Sequence, residues 1–302
     1  PLFVWMGEIL FRTRLSENLF KGLSPWMQKL PGGLIHVNVV GCALFAAISG
    51  SSAATVATVG KMSIPELRKR NYPEKILLGS LAGSGTLGLL IPPSIILIIY
   101  GVAVQESIAK LFIAGILPGI MIALIFMSYV IFWSLINKKQ MPKIIEEYSI
   151  FEKIKRSKQL LPVIFLISAV IGSIYTGIAT ATEAASLGVV GALILSYFQK
   201  SLTLETFKTS LLGATKTSCM IAFILAGSTF LSLAMGFTGL PRNLAMWIQN
   251  MDLSPYVLIF VLMIFYIILG MFLDGISAVV LTMAIIEPMI RQAGFDMIWF
   301  GI

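Results

Sequence analysis

Charged and chemically reactive side chains are scarce in this sequence of 302 residues. Only 12% of the residues are charged, whereas a soluble domain carries about 25%. There is one histidine, His36, and there are two cysteines, Cys42 and Cys219, each inside an apolar segment. The cysteines therefore indicate no disulfide framework.

The shortage of catalytic side chains argues against an enzyme. Nucleophilic or metal-dependent catalysis needs a nucleophile–base pair or a cluster of metal ligands. No His, Asp and Glu residues occur at ligand spacing in the sequence, and His36 is better explained as a packed or interfacial residue. An intramembrane enzyme is kept as an alternative, and no catalytic residue is predicted.

Apolar residues make up 57% of the chain and occur in long runs. Basic residues lie between these runs, so the net charge of +8 does not indicate nucleic-acid binding. This composition predicts an all-α polytopic membrane protein embedded in a lipid bilayer. The chain begins at Pro1 and ends at Ile302 within an apolar run, so we expect it to be part of a longer protein.

Basic residues between the apolar runs set the predicted topology. The segment 61–75 has five basic and two acidic residues, and the segment 137–158 has seven basic and three acidic residues. The positive-inside rule places both segments in the cytoplasm, whereas the nearly uncharged segment 239–254 is expected to be external. Residues 14–30 and 137–158 also carry apolar stripes, which predict amphipathic helices on the membrane surface.

Small and hydroxylated residues interrupt one of the long apolar segments. The run is Ile48-Ser49-Gly50-Ser51-Ser52-Ala53-Ala54-Thr55. Serine competes for backbone hydrogen bonds, and glycine lets the chain leave helical geometry. We therefore predict two short helices, residues 33–48 and 53–64, that meet at a tip near the membrane midplane. The alternative is a continuous helix in which the small residues form a packing face.

Two consecutive prolines indicate a second interruption. Pro92 and Pro93 each lack an N–H group, and each disfavours helix in the residue before it. Because glycines flank the pair, we predict that the helix over 76–104 breaks into two halves and frees carbonyl groups near Gly88 to Ile91. A proline kink that is compensated by packing is the alternative.

Asp274 follows the strongly apolar segment 255–273. An acidic side chain in an apolar membrane segment is costly, so it marks a functional site by default. The alternative is that Asp274 caps the N-terminus of a helix beginning at Gly275, and the two roles are compatible. We expect the following helix, residues 278–290, to end at Glu287-Pro288.

Two stretches share a layout in opposite orientations. Gly-Ser-Ser-Ala at 50–53 and Gly-Ile-Ser-Ala at 275–278 are each followed by Pro-x-x-Arg. By counting membrane crossings, we predict that the first hairpin opens to the cytoplasm and the second to the outside. Such inverted repeats are typical of secondary transporters, and oxygen ligands suit a hard cation such as Na⁺. The candidate oxygens are the hydroxyls of Ser49, Ser51, Ser52, Ser277 and Thr282, the carbonyls of Gly88 to Pro92, and the Asp274 carboxylate.

At these residues the sequence resembles the large membrane subunit, the M or DctM-like subunit, of tripartite ATP-independent periplasmic (TRAP) transporters. The matching motifs occur in family order along nearly the whole chain. They are Gly32-Gly33-Leu34-Ile35-His36-Val37-Asn38, Ile48-Ser49-Gly50-Ser51-Ser52-Ala53, Ile91-Pro92-Pro93-Ser94-Ile95, Tyr100-Gly101-Val102, Leu111-Phe112-Ile113-Ala114-Gly115-Ile116-Leu117-Pro118-Gly119 and Gly270-Met271-Phe272-Leu273-Asp274-Gly275.

The resemblance implies an inverted-repeat, elevator-type transporter with two re-entrant helical hairpins and broken helices. Such a transporter couples the import of a small organic anion to Na⁺ in a bacterial inner membrane. It works with a small four-helix membrane subunit (Q) and a periplasmic substrate-binding protein (P), which delivers the anion.

The resemblance also assigns residues, and two or more Na⁺ ions per cycle are expected. The first Na⁺ site corresponds to Ser49, Gly50, Ser51, Gly88, Ile91 and Pro92. Asp274 and Gly275 correspond to part of the second site, and Ser52, Thr55, Ser277 and Thr282 are expected to contact the solute. Family members are longer, and a Pro-Pro break completing the second site is expected just past Ile302. Several sialic-acid-type members have an acidic residue where this chain has Thr55, which favours dicarboxylates or similar small acids.

The same resemblance divides the chain into a transport domain and a scaffold. Residues 33–104 and 255–302 are assigned to the transport domain, and residues 1–32 and 105–254, with the arm helix 137–158, to the scaffold. The closest alternative function is a related Na⁺/anion symporter that works without a binding protein. A passive channel or a membrane scaffold is a further alternative, and the paired broken elements argue against it.

Overall fold

A computed structural model of the chain describes residues 1–12, 15–142, 148–158, 160–239, 243, 246 and 254–302, and within these ranges it contains helices and no strand. The helices are α1 Leu2–Phe11, α2 Leu15–Met27, α3 Ile35–Ser49, α4 Ser52–Lys69, α5 Glu74–Gly85, α6 Leu87–Leu90, α7 Ile95–Ala103, α8 Ile108–Ile136, α9 Ile150–Ser157, α10 Leu161–Tyr175, α11 Ala181–Phe198, α12 Leu204–Thr238, α13 Pro255–Gly270, α14 Gly275–Gln292 and α15 Met297–Gly301. A short 3₁₀ helix, Lys138–Gln140, follows α8. The all-α prediction is confirmed.

Several of these helices fit the dimensions of a bilayer. Among the described residues, α8, α11, α12 and α14 are long and apolar enough to cross a membrane. The number rises to six if the bent pairs α5/α6 with α7 and α9 with α10 each form one span. A polytopic membrane protein remains the fold class that these helices support.

The ends of the helices follow capping signals in the sequence. Thr180 and Glu183 form a capping box at the start of α11, where a carboxylate oxygen of Glu183 accepts the Thr180 N–H at 2.8 Å. The Ser254 side chain caps α13, which begins with Pro255 in the first turn. Local chemistry therefore sets these two boundaries.

The chain divides into two compact units. Unit 1 comprises Pro1–Ile95 and Gly115–Thr215, and unit 2 comprises Ile96–Ala114 and Lys216–Ile302. In unit 1, α3 packs against α1, α2, α4 and α5, so it lies at the centre of that unit. Ile35, Val39 and Ala46 of α3 belong to a buried apolar cluster that also contains Ile76, Leu87 and Val130.

In unit 1, helices α3 and α4 form the first helical hairpin. The predicted tip is confirmed as a turn, because α3 ends at Ser49, Gly50 has a left-handed φ of 58° and α4 begins at Ser52. The predicted end of α4 at residue 64 is wrong, since the helix continues through Pro65 to Lys69.

In unit 2, helices α13 and α14 form the second hairpin. The ring of Tyr256, at the start of α13, lies 6.2 Å from the ring of Phe295, just after α14, so the two helices run antiparallel. The expectation that α14 ends at Glu287-Pro288 is wrong, because α14 continues to Gln292.

The two errors share a physical cause. A proline inside a helix removes one N–H, and its ring presses on the carbonyl four residues earlier, but burial of apolar side chains beyond it offsets that cost. Leu67, beyond Pro65, is fully buried, and Met289 and Ile290, beyond Pro288, are buried as well.

The predicted surface helices are only partly reproduced. In the segment predicted over 14–30, α2 forms from Leu15 to Met27, and among the described residues of the segment 137–158 helix occurs in the short 3₁₀ turn and α9. Residues 143–147 of that segment lie outside the described residues, as do Arg242 and Asp252 of the predicted external loop.

Candidate functional site

The first candidate site lies in unit 1, where the chain breaks between α6 and the start of α7. Helical conformation stops at Leu90 and resumes at Ile95. The intervening Pro92–Pro93 peptide bond is cis, and both prolines are buried. The predicted break of this helix is confirmed.

The break changes which groups the local carbonyls can pair with. The carbonyls of Gly88 and Leu89 would bond to the N–H groups at positions 92 and 93, and the prolines there have none. The Leu89 carbonyl instead accepts a hydrogen bond from the Ser94 hydroxyl at 2.6 Å. The N–H group that a continuous helix would offer to the Gly88 carbonyl is therefore missing.

The tip of the first hairpin rests against this break. The Ile95 N–H donates to the Gly50 carbonyl at 3.2 Å. A Cβ atom built on Gly50 would lie 2.7 Å from the Pro93 carbonyl oxygen, so a larger residue would collide with backbone. Because Gly50 also has a left-handed φ, both its conformation and its surroundings require glycine.

Gly88 brings a second backbone segment to the same tip. A Cβ atom on Gly88 would lie 3.0 Å from the Ser52 nitrogen and 3.2 Å from the Ser51 carbonyl oxygen. The turn and α6 are therefore in direct backbone contact, with no side chain between them. Gly50 and Gly88 are both buried, whereas Ser51 and Ser52 are half-buried.

The hydroxyl groups at the tip organise the start of α4. The Ser51 side chain caps α4 by accepting the Ala54 N–H at 3.5 Å. The Ser51 carbonyl accepts hydrogen bonds from the Thr55 N–H at 3.0 Å and from the Thr55 hydroxyl at 2.7 Å. The positive end of the α4 dipole thus lies at the tip, where it favours an anion.

The structure brings most of the predicted residues of the first Na⁺ site into one neighbourhood. Gly50, Ser51 and Gly88 are in contact, and Ile91 and Pro92 belong to the break on which the tip rests. The Ser49 side chain lies outside what the structure describes. Thr55 is buried with its hydroxyl bonded to Ser51, and Ser52 is the first residue of α4. The ligand and solute roles of these residues stay predictions.

Asp274 caps the second hairpin within unit 2. One carboxylate oxygen accepts the N–H groups of Ile276 at 3.1 Å and Ser277 at 3.3 Å. The Ser277 hydroxyl donates to the other oxygen at 2.5 Å. The capping role expected of Asp274 is therefore present, and Gly275 is the first helical residue. Asp274 is exposed within the unit, and each oxygen of a carboxylate has two lone pairs, so capping leaves room for a cation.

Thr282 lies away from the tip, about two turns into α14. Its hydroxyl pairs with the Tyr266 hydroxyl of α13 at 2.6 Å and with the Ala278 carbonyl at 2.7 Å. This contact holds the two helices of the hairpin together. The expected contact of Thr282 with solute stays a prediction.

Sequence reasoning missed the polar groups that join α3 to α5. The Asn38 amide of α3 donates to the Leu77 carbonyl at 3.2 Å and to the Ser80 hydroxyl at 3.0 Å, both in α5. The Ser84 hydroxyl of α5 donates to the Asn38 carbonyl at 3.4 Å, and Asn38 and Ser84 are both fully buried. The signal that could have revealed them is the spacing of two serines four residues apart in an apolar helix.

Cation ligands at these sites would be backbone and hydroxyl oxygens together with Asp274. Within the described ranges, no three His, Cys, Asp or Glu side chains group closely enough to hold a metal ion. Hard cations take oxygen ligands, which the tip, the break and Asp274 all offer.

Comparison with known proteins assigns the chain to a family. Residues 1–302 match the family described as the tripartite ATP-independent periplasmic transporter, DctM component. The chain is 32% identical over 317 residues to the C4-dicarboxylate TRAP transporter large permease protein DctM of Rhodobacter capsulatus, covering 100% of this chain and 71% of the relative. It is 31% identical over 303 residues to the protein of the same name from Pseudomonas aeruginosa, covering 100% of this chain and 70% of that one.

A third relative is covered over a smaller share of its length. The isethionate TRAP transporter permease protein DctMQ of Oleidesulfovibrio alaskensis is 30% identical over 306 residues, which cover 100% of this chain and 47% of that protein. The family match extends over the whole chain, and the two large permeases also align with the whole chain. This chain therefore belongs to the DctM family, the large permease component of TRAP transporters.

Proposed function

We propose that this chain is the Na⁺-coupled large subunit of a transporter that imports small organic anions. One observation carries the proposal: the Gly50-Ser51-Ser52 turn and the Gly88–Pro92 break come from separate helices and meet backbone to backbone. Such meeting points of broken helices are where secondary transporters hold coupling ions and substrates. The first Na⁺ would bind there, and Asp274 would supply charge to a second.

We also propose how the two hairpins move during transport. The hairpins α3–α4 and α13–α14 are proposed to re-enter the membrane from opposite faces and to travel together with the solute. The oxygens at their tips would bind Na⁺, and the N-terminus of α4 would favour the carboxylate of the solute. Scaffold helices would hold their position during this elevator movement, and cross-links that show them travelling with the hairpins would contradict it.

Relatives suggest the partners and the class of solute. The two large permeases named above are named for C4-dicarboxylates, and the isethionate permease is named as a joined DctMQ protein. By this relationship, the chain would work with a small Q subunit and a periplasmic binding protein in a bacterial inner membrane. The solute would be a dicarboxylate or a similar small acid, delivered by the binding protein.

Uptake into proteoliposomes tests the proposal. The full-length permease would be reconstituted with its Q subunit, and uptake of a radiolabelled C4-dicarboxylate would be measured with and without the binding protein. We expect uptake only with an inward Na⁺ gradient and with the loaded binding protein present, and none when K⁺ replaces Na⁺. A thermal-shift screen of the binding protein against organic acids would identify the solute beforehand.

The same assay separates the two candidate functions. Na⁺-driven uptake at the full rate without the binding protein would favour the related Na⁺/anion symporter. Uptake that ignores the Na⁺ gradient would overturn the proposed coupling.

A further inference from the structure

A cavity of about 400 Å³ lies in unit 1 between α2, α4 and the residues around α9. This volume is within the roughly 300–1,000 Å³ range of small-molecule sites. No residue of the proposed ion site lines it. The charged and hydroxyl-bearing aromatic residues among its described lining are Lys21, Lys61, Arg70, Arg156, Glu66 and Tyr148.

Four of the described lining residues are basic. Glu66 is the single acidic residue among the described lining, and its carboxylate lies 3.9 Å from Arg70. Two of the basic residues, Lys61 of α4 and Arg156 of α9, bring positive charge to the cavity from separate helices, and this charge attracts an anion. Arginine and lysine together recognise phosphate well, since arginine offers a planar fork and lysine a compact charge.

Arg156 is held in place at the edge of the cavity. Its guanidinium lies 4.2 Å from the centre of the Tyr148 ring, and it donates to the Tyr148 hydroxyl at 3.2 Å. Neither contact neutralises the arginine. The stacking restricts the side chain, which reduces the entropy lost when it binds a ligand.

The helix beside the cavity has an exposed apolar face. Ile150, Phe151 and Ile154 of α9 are 74%, 76% and 51% exposed. The same helix carries Lys153, Lys155 and Arg156, a pattern typical of a basic amphipathic helix in the membrane interface.

Trp26 fixes this helix to α2. Its indole N–H donates to the Ser157 hydroxyl at 2.7 Å, and the Lys153 ammonium lies 5.4 Å from the centre of its ring. Tryptophan is enriched at membrane–water interfaces, and Trp26 remains 46% exposed. The cavity therefore opens beside two elements suited to the headgroup layer.

We propose that this cavity binds the phosphate of an anionic phospholipid of the cytoplasmic leaflet. Lys61 and Arg156 hold the phosphate, and the acyl chains lie along Ile150, Phe151 and Ile154. The excess of basic residues in segments 61–75 and 137–158 places the cavity on the cytoplasmic side. A basic pocket on that side is chemically suited to an anionic headgroup.

Thermal unfolding of the full-length permease with its Q subunit tests this site. The complex is purified in detergent, stripped of lipid and titrated with phosphatidylglycerol, with phosphatidylcholine of the same acyl chains, or with glycerol 3-phosphate. A ligand that binds the folded state raises the unfolding temperature. We expect phosphatidylglycerol to raise it in a saturable way and the other two ligands to leave it nearly unchanged.

The double variant Lys61→Gln/Arg156→Gln removes two cations from the lining. We expect it to need roughly 10- to 30-fold more phosphatidylglycerol for the half-maximal shift, given the attraction of each basic residue to anionic lipid. Lys75→Gln/Lys155→Gln is the matched control, because it removes the same charge from exposed residues that do not line the cavity.

Three results would overturn the proposal. They are an equal response to phosphatidylcholine, an unchanged response in Lys61→Gln/Arg156→Gln, and an equal response to glycerol 3-phosphate, which would indicate a soluble anion instead.

A second experiment uses the unaltered protein, so its result does not depend on how the variants fold. Photoactivatable phosphatidylglycerol should label peptides of α2, α4 or α9, and labelling only elsewhere would also reject the site.

Discussion

The tips of the two helical hairpins differ in chemistry and in surroundings. The tip of α3–α4 is capped by the neutral Ser51 and is buried against the break between Leu90 and Ile95 in the same unit. The tip of α13–α14 is capped by the charged Asp274, which is exposed within unit 2. The first tip therefore offers packed neutral oxygens, and the second offers a net negative charge.

The caps also correct the register of the internal repeat. The sequence pattern pairs Gly50 with Gly275, but Gly50 precedes its cap whereas Gly275 follows its cap. When the helices are aligned on their caps, Ser51 corresponds to Asp274. The two tips thus place a neutral and a charged capping oxygen at equivalent positions, and variants at these caps can separate capping from the proposed ion binding.

The largest effects are expected at Asp274, where Asp274→Ser keeps a capping oxygen but removes the charge. Capping stability should be retained, because serine and aspartate are similar caps. Na⁺-driven uptake should fall at least about tenfold, since an interaction with a charged group contributes roughly 1.5–3 kcal/mol. Asp274→Ala should abolish the uptake and also lose about 1 kcal/mol of capping, while the protein stays folded and inserted.

Asp296→Ser is the matched control for that substitution. Asp296 caps α15 by accepting the Trp299 N–H at 2.9 Å, so it is an aspartate cap outside the proposed site. Its Na⁺ titration in proteoliposomes should equal that of the unaltered protein. A normal titration for Asp274→Ser would defeat the assignment of Asp274 to Na⁺.

Gly88→Ala tests the packing that distinguishes the first tip. The new methyl group would press on the backbone of Ser51 and Ser52, and overpacking of this kind costs about 1–3 kcal/mol. We expect a lower unfolding temperature and a higher Na⁺ concentration for half-maximal uptake, because the tip is displaced from the break.

Gly79→Ala is the control within α5. A Cβ atom there meets nothing within 4 Å, so the substitution should be neutral or stabilise the helix by up to about 1 kcal/mol. If Gly88→Ala and Gly79→Ala give the same unfolding temperature and the same Na⁺ dependence of uptake, the close contact between the tip and the break is not needed for transport.

The smallest effect is expected from Ser51→Ala. Loss of the cap should lower the free energy of unfolding by about 1 kcal/mol, and loss of one oxygen ligand should weaken the Na⁺ response modestly. Ser254→Ala removes the comparable cap of α13 and should lower stability without shifting the Na⁺ titration. Identical Na⁺ titrations of the two variants would remove Ser51 from the ligand set.

Much of the first tip could be predicted because its signals are local. Gly50 has no Cβ to oppose a left-handed turn, and Pro92 and Pro93 have no N–H to continue a helix, whatever surrounds them. The ends of α4 and α14 could not be predicted from Pro65 and Pro288, because Leu67 and Ile290 are buried by packing against other parts of the chain, and this burial offsets the cost of a proline inside a helix.

The sequence alone determined the apolar spans, the positions of the turn and the break, and the resemblance to TRAP large subunits, since each depends on residue type and order. Only the tertiary structure decided that the Gly50 turn rests on the Gly88–Ser94 segment, that Thr282 pairs with Tyr266 and that four basic residues line one cavity. These contacts join residues far apart along the chain. Their formation depends on how whole helices pack, and no local pattern encodes it.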